Sequence, residues 1–436
     1  MGNKSKSFAV ILVALFLSSL VAFPYLAADA DSTADDWSMF RHDSAHTGAT
    51  SSAGPAQLVK LWSYQEGHFD GYPIGSSAAV VNGIVYVGSN FNQAEYKGGN
   101  IYAFDSYRGA KLWNYSTNYG VYSSPAVENN MLFIGADDCV LALDALRGTK
   151  IWSFETGSSV RSSPAVINGI VYVGSYDCKV YALNASTGKE LWSYATQGEI
   201  YSSPAYADGY VYLVSDGGNI YAFNALTGIK SWNYTVEYTL SSPCVDNGML
   251  FIGTGKGVYA INASTGEKIW STPLFSDQKI RAYSSPAVSN GVLYIGSNGG
   301  GVYAFNASTG SQIWNNRHFA IVYSSPAISN GVVYIDSAAL NATSGAILQN
   351  FRTDNTINAS PAISNGVLYI ASQDGYFYAI GKPIVTPSVI STQSILIVLA
   401  VVLAITSLFL LLYRKHRKTS NSVKKPGFVD QTKVIS

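Results

Sequence analysis

Charged residues are scarce in this chain: Asp, Glu, Lys and Arg make up 12% of its 436 residues, about half the usual share. Hydrophobic residues reach 47%, so the chain has too much to bury and too little charge to stay disordered. Basic and acidic residues balance at 27 each, which excludes the basic excess of a nucleic-acid binder. Cysteine is limited to Cys139, Cys178 and Cys244, too few and too scattered for a disulfide scaffold. Only 4 methionines occur, and the middle of the chain shows no helical period. In their place stand 40 Gly and 31 Tyr, a composition of strands and turns.

The even charge balance conceals an asymmetry. Residues 31–393 carry 18 Lys and Arg against 25 Asp and Glu, a net −7. The tail 414–436 holds seven basic residues, beginning with Arg414 and Lys415, against Asp430. Two compartments are implied. At the start, Lys4 and Lys6 precede an apolar run over 8–23, and Ala28-Asp29-Ala30 offers a small-x-small cleavage site. Residues 1–30 therefore read as a secretory signal, with an uncleaved anchor as the alternative. Near the end, 394–413 is expected to form one transmembrane helix: its apolar run is interrupted only by Thr406 and Ser407, and basic residues follow at once. Residues 383–393, with Pro383 and Pro387, read as a short stiff linker. The expected topology is single-pass, with 31–382 extracytoplasmic and 414–436 cytoplasmic.

The middle of the chain repeats. Ser-Ser-Pro-Ala stands at 123–126, 162–165, 202–205, 284–287 and 324–327, with variants at 76–79, 241–244 and 359–362. Prolines 125, 164, 204, 243, 286, 326 and 361 are spaced by 39, 40, 39, 43, 40 and 35 residues. A period near 40 indicates a solenoid or a propeller. Each unit then offers an Asn-Gly turn such as Asn168-Gly169, an alternating strand, a second strand, and a turn such as 184–188. A strand bearing Trp closes it, as at Trp192, so each unit predicts a four-stranded antiparallel blade. The first three strands occur eight times, but the Trp-bearing strand follows only seven of them, with Gln349 replacing one Trp. The missing copy is 60–64 at the front, which predicts that the N-terminal strand completes the last blade and locks an all-β, eight-bladed ring over 57–382. Pro lacks an N–H, and the small residues beside it place the first strand at the central channel.

The frame 182–192, Ala-Leu-Asn-Ala-Ser-Thr-Gly-Lys-Glu-Leu-Trp, resembles the tryptophan-docking repeat of pyrroloquinoline-quinone (PQQ) propellers, and it recurs at 103–113, 142–152, 222–232, 260–270 and 304–314. The lead-in segment 31–56 adds Trp37, Phe40, Arg41, His42, Asp43, His46 and Gly48, similar to the segment ahead of many such propellers. The resemblance implies an eight-bladed propeller with each indole lying on a glycine of the neighbouring blade. It implies two functions. The non-catalytic, surface-anchored relatives, among them the lipoprotein propeller of outer-membrane assembly, imply a binding or scaffold module for a protein or glycan partner. No cofactor is expected of it. The alternative is a quinoprotein dehydrogenase using PQQ and calcium. Such enzymes commonly place two adjacent cysteines beside the quinone, whereas the three cysteines here are far apart. The chain also lacks a lipid-bearing Cys after the apolar N-terminal run, unlike the assembly lipoprotein.

One position varies while its neighbours hold. The residue ahead of Ser-Ser-Pro-Ala is Gly75, Tyr122, Arg161, Tyr201, Leu240, Tyr283, Tyr323 and Asn358 in turn. Tyr122, Arg161, Tyr201, Tyr283 and Tyr323 are the candidate ligand contacts at the channel mouth, with plain channel filling as the alternative. His42, Asp43 and His46 have metal-like spacing but are expected to pack or cap within the lead-in. The cysteines are expected to be free thiols. Asn184, Asn262, Asn306 and Asn341 open Asn-Ala-x-x-Gly turns and are candidate N-glycan acceptors, whereas Asn358 on the inner strand is expected to be spared.

Overall fold

Asn168 and Gly169 sit at φ 53° and 75°, the pair of left-handed conformations that a type I′ hairpin needs. They join Ala165–Ile167 to Ile170–Gly174, with Ile167 opposite Ile170. Lys179–Asn184 and Glu190–Ala195 complete an antiparallel four-stranded sheet. The computed structural model describes residues 36–65, 76–93, 96–274, 283–299, 301–319, 321–382 and 406–407. Among them stand eight sheets of this kind, one per repeat; two carry a fifth strand, Phe91–Gln93 in the first and the parallel Ala49–Thr50 in the seventh. Numbered by first strand, blades 1 to 8 begin at Ala79, Ala126, Ala165, Ala205, Cys244, Ala287, Ala327 and Ala362.

The chain divides into a unit over 1–382, which holds the propeller, and a unit over 383–436. Of the second, only Thr406 and Ser407 are described, in helical conformation. No helix among the described residues is long and apolar enough to cross a membrane. The signal expected at 1–30 lies outside the described residues, as does the apolar run 394–413 apart from Thr406 and Ser407.

The core lies between blades. Ile170–Gly174 and Lys179–Asn184 are buried along most of their length, because each blade is covered on both faces by its neighbours. Val180, Ala182 and Trp192 of blade 3 thus share one cluster with Val211, Leu213 and Phe223 of blade 4. Trp192 donates its indole N–H to Ala225 O of the next blade at 2.8 Å. Its ring lies on Gly228, where a Cβ would meet the indole at 2.6 Å, and that glycine's φ of 69° disfavours a side chain again. Trp62, Trp113, Trp152, Trp232, Trp270 and Trp314 dock in the same way.

Closure follows the split repeat. Lys60–Gln65 pairs antiparallel with Tyr376–Gly381, setting Trp62 opposite Ala379 and Ser63 opposite Tyr378. Trp62 then docks on Gly109 of blade 1, across the seam. At the junction between blades 7 and 8 the missing indole is replaced by a side-chain amide. Gln349 accepts the N–H of Leu58 at 2.7 Å and donates to Ala56 O at 3.0 Å, so it holds the incoming N-terminal strand itself.

The lead-in does more than approach the ring. It crosses one end of the propeller as a strap. Trp37 exchanges both backbone hydrogen bonds with Val80 of blade 1, and Val127 of blade 2 donates to Ser38 O. Met39 enters the core between blades 2 and 3. Ser44, Ala45, Thr47, Gly48 and Ala53 carbonyls then accept N–H groups from Tyr206, Val245, Val288, Ile328 and Gly366, in blades 4 to 8 in order. Each contacted amide in blades 2 to 7 lies near the far end of an innermost strand, and the Asn-Gly turns lie at that same end. The corner turns do too, since Ala185 donates to Gly169 O. The propeller therefore has a strap end and, opposite it, a mouth.

Candidate functional site

The second serine of each Ser-Ser unit faces the channel, and the eight form a closed belt. Ser77 donates its backbone N–H to the hydroxyl of Ser124 at 2.8 Å, Ser124 to Ser163 at 2.9 Å, and Ser163 to Ser203 at 3.0 Å. The chain of bonds continues through Ser242, Ser285, Ser325 and Ser360 at 2.9–3.0 Å, and Ser360 returns to Ser77 at 3.0 Å. Each hydroxyl oxygen accepts one amide, so each still holds a proton to donate. The first serines work across the blade instead: Ser123 accepts the N–H of Gly135, and Ser162 that of Gly174. The small residues of the repeat thus carry a hydrogen-bond pattern, beyond the crowding that suits them to the channel.

The strap closes the channel at one end. Phe40 lines the cavity, and Arg41 lies behind it, 1% exposed. The Arg41 guanidinium donates to Pro326 O and, at 2.8 Å, to Pro286 O. Burial lowers its pKa to about 10, which leaves it protonated at neutral pH. His46 lies 3.1 Å from Pro243 O through Nδ1, which must therefore carry the proton. Burial pulls His46 down to about 4, so it is neutral. Asp43 is partly buried, which works against its charge, yet His42 at 3.5 Å and the two hydrogen bonds from Thr47 hold its carboxyl below the usual range. The three residues with metal-like spacing thus cap and pack the strap.

Nothing among the described residues closes the other end, and the variable position lines it. Tyr122, Tyr201, Leu240, Tyr283, Tyr323 and Asn358 surround a cavity of about 40 Å³ above the serine belt. That volume holds roughly three waters. Tyr283 and Tyr323 pack edge to face at 5.4 Å. Asn90 donates to the Tyr122 hydroxyl at 2.6 Å, and Tyr201 donates to Glu199 at 3.0 Å. Arg161 stands beside the cavity. Its guanidinium lies 4.4 Å over the Tyr122 ring and 5.2 Å from that of Tyr176, an arrangement that fixes the plane of the fork. Its N–H groups make no hydrogen bond to the described residues. Tyr176 in turn packs on Tyr201 at 4.3 Å, and burial raises the Tyr176 phenol well above its ordinary range.

All five sequence-derived mouth residues therefore gather at one end of the channel. Tyr176, Asn90 and Glu199 were not among them. Tyr176 and Asn90 follow Ser175 and Ser89 at the far end of the second strand, a second variable place that alignment of the repeats would have exposed. None of the three thiols forms a disulfide: Cys139 donates to Ala136 O at 3.1 Å, Cys178 lies two residues from Tyr176, and burial pushes Cys139 up to about 11 and Cys178 and Cys244 upward as well. Among the described residues no three His, Cys, Asp or Glu side chains converge to hold a metal. The four acceptor asparagines open corner turns at the strap end. Each Oδ1 caps its own turn, as Asn184 accepts from Thr187, while Nδ2 makes no hydrogen bond to described residues. Asn358 is 5% exposed.

Blade 7 carries one residue out of pattern. Asp336 stands where blades 1 to 3 have Gly88, Gly135 and Gly174, at φ 51°, and donates its N–H to Ser324. Burial raises its carboxyl to about 6, against hydrogen bonds from the Ile357 and Ser337 amides. The folded pKa exceeds the unfolded value near 3.9, so the native state binds more protons between about pH 4 and 6. Stability contributed here is present at low pH and is lost as pH rises through that window. Asp336→Asn, which cannot ionise, is expected to gain about 1–2 kcal/mol on the wild type between pH 4 and pH 7.5. Urea unfolding at both pH values checks this; a constant difference would contradict it.

Similarity to known proteins follows the architecture. The family described as outer membrane protein assembly factor BamB matches residues 27–165 and 136–337. No curated protein matches the chain. Among solved structures, BamB from Moraxella catarrhalis superposes with a TM-score of 0.62 at 18% identity, covering 74% of this chain and 99% of that one. Quinohemoprotein alcohol dehydrogenase from Comamonas testosteroni gives 0.67 at 14% identity, covering 81% of this chain and 82% of its own. A europium-containing methanol dehydrogenase gives 0.63 at 15% identity, with 78% and 89% covered. Identities this low speak for the fold alone.

Proposed function

The chain belongs to the family described as outer membrane protein assembly factor BamB, and from that membership we propose that it is a membrane-anchored, extracytoplasmic propeller that binds a protein or glycan partner at the cell surface through its channel mouth. One observation carries the reading. Arg161, 4.4 Å over the Tyr122 ring and 5.2 Å from that of Tyr176 and without a hydrogen bond to described residues, stands beside four tyrosines at the end of the channel opposite the strap. Tyrosine rings stack on sugars or peptides while their hydroxyls hydrogen-bond, and a fixed guanidinium fork selects an acceptor group. The anchor is the apolar run 394–413, followed by its basic tail, and the amides of Asn184, Asn262, Asn306 and Asn341 are the acceptors for glycosylation at the strap end.

The quinone alternative finds less support in the residues present. A cavity of about 40 Å³ falls well short of the roughly 300 Å³ at which pockets for larger ligands begin. The described channel wall is mainly serine hydroxyl and tyrosine, with the single amide of Asn358 and no carboxylate among the lining residues, short of the about six to eight oxygens, carboxylates among them, that calcium takes.

Glycan and peptide arrays probed with the detergent-solubilised full chain test the proposal. A bound class should appear, and Arg161→Ala or Tyr323→Ala should weaken it at least tenfold. Binding that neither substitution alters would place the partner elsewhere and overturn the mouth.

A further inference from the structure

The eight serines of the belt have hydroxyl protons that the fold does not use. All eight line the cavity, and each is 2–8% exposed. Each Oγ accepts the amide of the preceding blade's serine, and none donates to a described residue. An amide bonded into a hydroxyl oxygen polarises its O–H, so the belt offers the cavity a ring of strengthened donors. The Tyr283 and Tyr323 hydroxyls on the mouth side also donate to no described residue. Buried donors of this kind call for an acceptor.

Charge favours an anionic one. Arg41 is protonated and 1% exposed at the strap end. Its partners are two neutral carbonyls, Pro286 O and Pro326 O, and its Nε has no partner. Those prolines directly follow the belt serines Ser285 and Ser325, so the guanidinium lies one residue from the belt. Among the described residues no carboxylate forms an ion pair with it. A buried charge in that state is costly, and a counter-ion nearby lowers the cost. Arg161, two residues before the belt serine Ser163, sets a second guanidinium on the mouth side, over the Tyr122 ring that lines the cavity. No carboxylate is among the described lining residues. The nearby acidic groups are held by protein donors: Asp43 by Thr47, Glu199 by Tyr201, and Asp336 by the Ile357 and Ser337 amides.

We propose that the serine belt holds a tetrahedral oxyanion, sulfate or phosphate, on the channel axis. Four oxygens pointing to all sides can take donors from the whole ring, whereas the two oxygens of a carboxylate face one way. A cavity of about 40 Å³ admits a group of this size and not a larger ligand. Water alone would satisfy the hydroxyls but not the charge of Arg41. The group arrives either as the free ion or as the end of a partner at the mouth.

The site goes beyond the mouth reading and is measured with no partner present. The detergent-solubilised full chain is titrated with sodium sulfate by isothermal calorimetry, exchanged against chloride at constant ionic strength. One site with a Kd below about 1 mM is expected. Arg161→Gln, which breaks no hydrogen bond to a described residue, should weaken it at least tenfold, and Tyr283→Phe with Tyr323→Phe at least threefold. Arg147→Gln, on an exposed corner turn, should bind as the wild type does. Sodium acetate should bind at least tenfold more weakly than sulfate. Methyl sulfate separates the two sources: binding as tight as sulfate marks the end of a partner, and exclusion marks a free ion enclosed by the tyrosines. Crystals soaked in sodium selenate should show an anomalous peak inside the serine ring. No heat beyond chloride exchange, equal affinity in Arg161→Gln, acetate as tight as sulfate, or selenate only elsewhere would each overturn the inference. Sulfate binding by a chain for which the arrays find no partner would instead refute the mouth and leave the belt standing.

Discussion

A chain lacking residues 36–75 is expected to show no cooperative thermal transition. The deletion leaves blade 8 with three strands and exposes the edge of Tyr376–Gly381 along its whole length. It removes Trp62 from Gly109 and the two backbone partners of Gln349. It also removes Trp37, 1% exposed, and loss of one large buried aromatic costs about 3–5 kcal/mol. The strap's amide pairs with seven blades go as well, against a total stability of about 5–15 kcal/mol for a typical domain. A permutant in which 36–65 is rejoined through a flexible linker after Lys382 should recover the transition, because Trp37 meets blade 1 beside the point where the chain leaves blade 8. Differential scanning calorimetry of both chains checks this. A normal transition in the deleted chain would mean that the ring closes without its N-terminal strand.

Arg41→Met should cost the next largest amount. Methionine roughly fills the space but leaves Pro326 O and Pro286 O without donors at the axis. Two hydrogen bonds from a charged donor are worth about 3–5 kcal/mol together. Arg41→Lys should fall between the two, since an ammonium lacks the planar fork that spans two carbonyls. Urea denaturation of the three chains gives the order. A methionine variant as stable as wild type would show that the strap is held by its backbone bonds alone.

The blade count and the closure were legible in the sequence because both rest on local, repeated chemistry. Asn-Gly turns, the Asx-to-Gly corner and the docking Trp each act within a few residues, and eight copies make the pattern plain. The split unit by itself pairs the strand of Trp62 with that of Tyr378, as the structure does. The strap was not legible in the same way. It occurs once, has no period, and makes contacts hundreds of residues away, as Arg41 does with Pro326. The serine belt was half legible: its residues stood out, but a bond from Ser77 to Ser124 joins equivalent places in two blades and needs the ring to exist first. At the mouth the variable column was found, whereas the Arg161–Tyr176 stack pairs different strand positions and emerges only in three dimensions.

The central claim is that the mouth is where this protein meets its partner. The most direct test replaces Tyr323 with photoactivatable benzoylphenylalanine in the native membrane, with the same substitution at Leu348 on the outer strand, 50% exposed, as control. Illumination should give a discrete adduct from position 323 and none from 348, and adding Arg161→Ala should abolish it. No adduct from 323, or the same adduct from both positions, would contradict the claim.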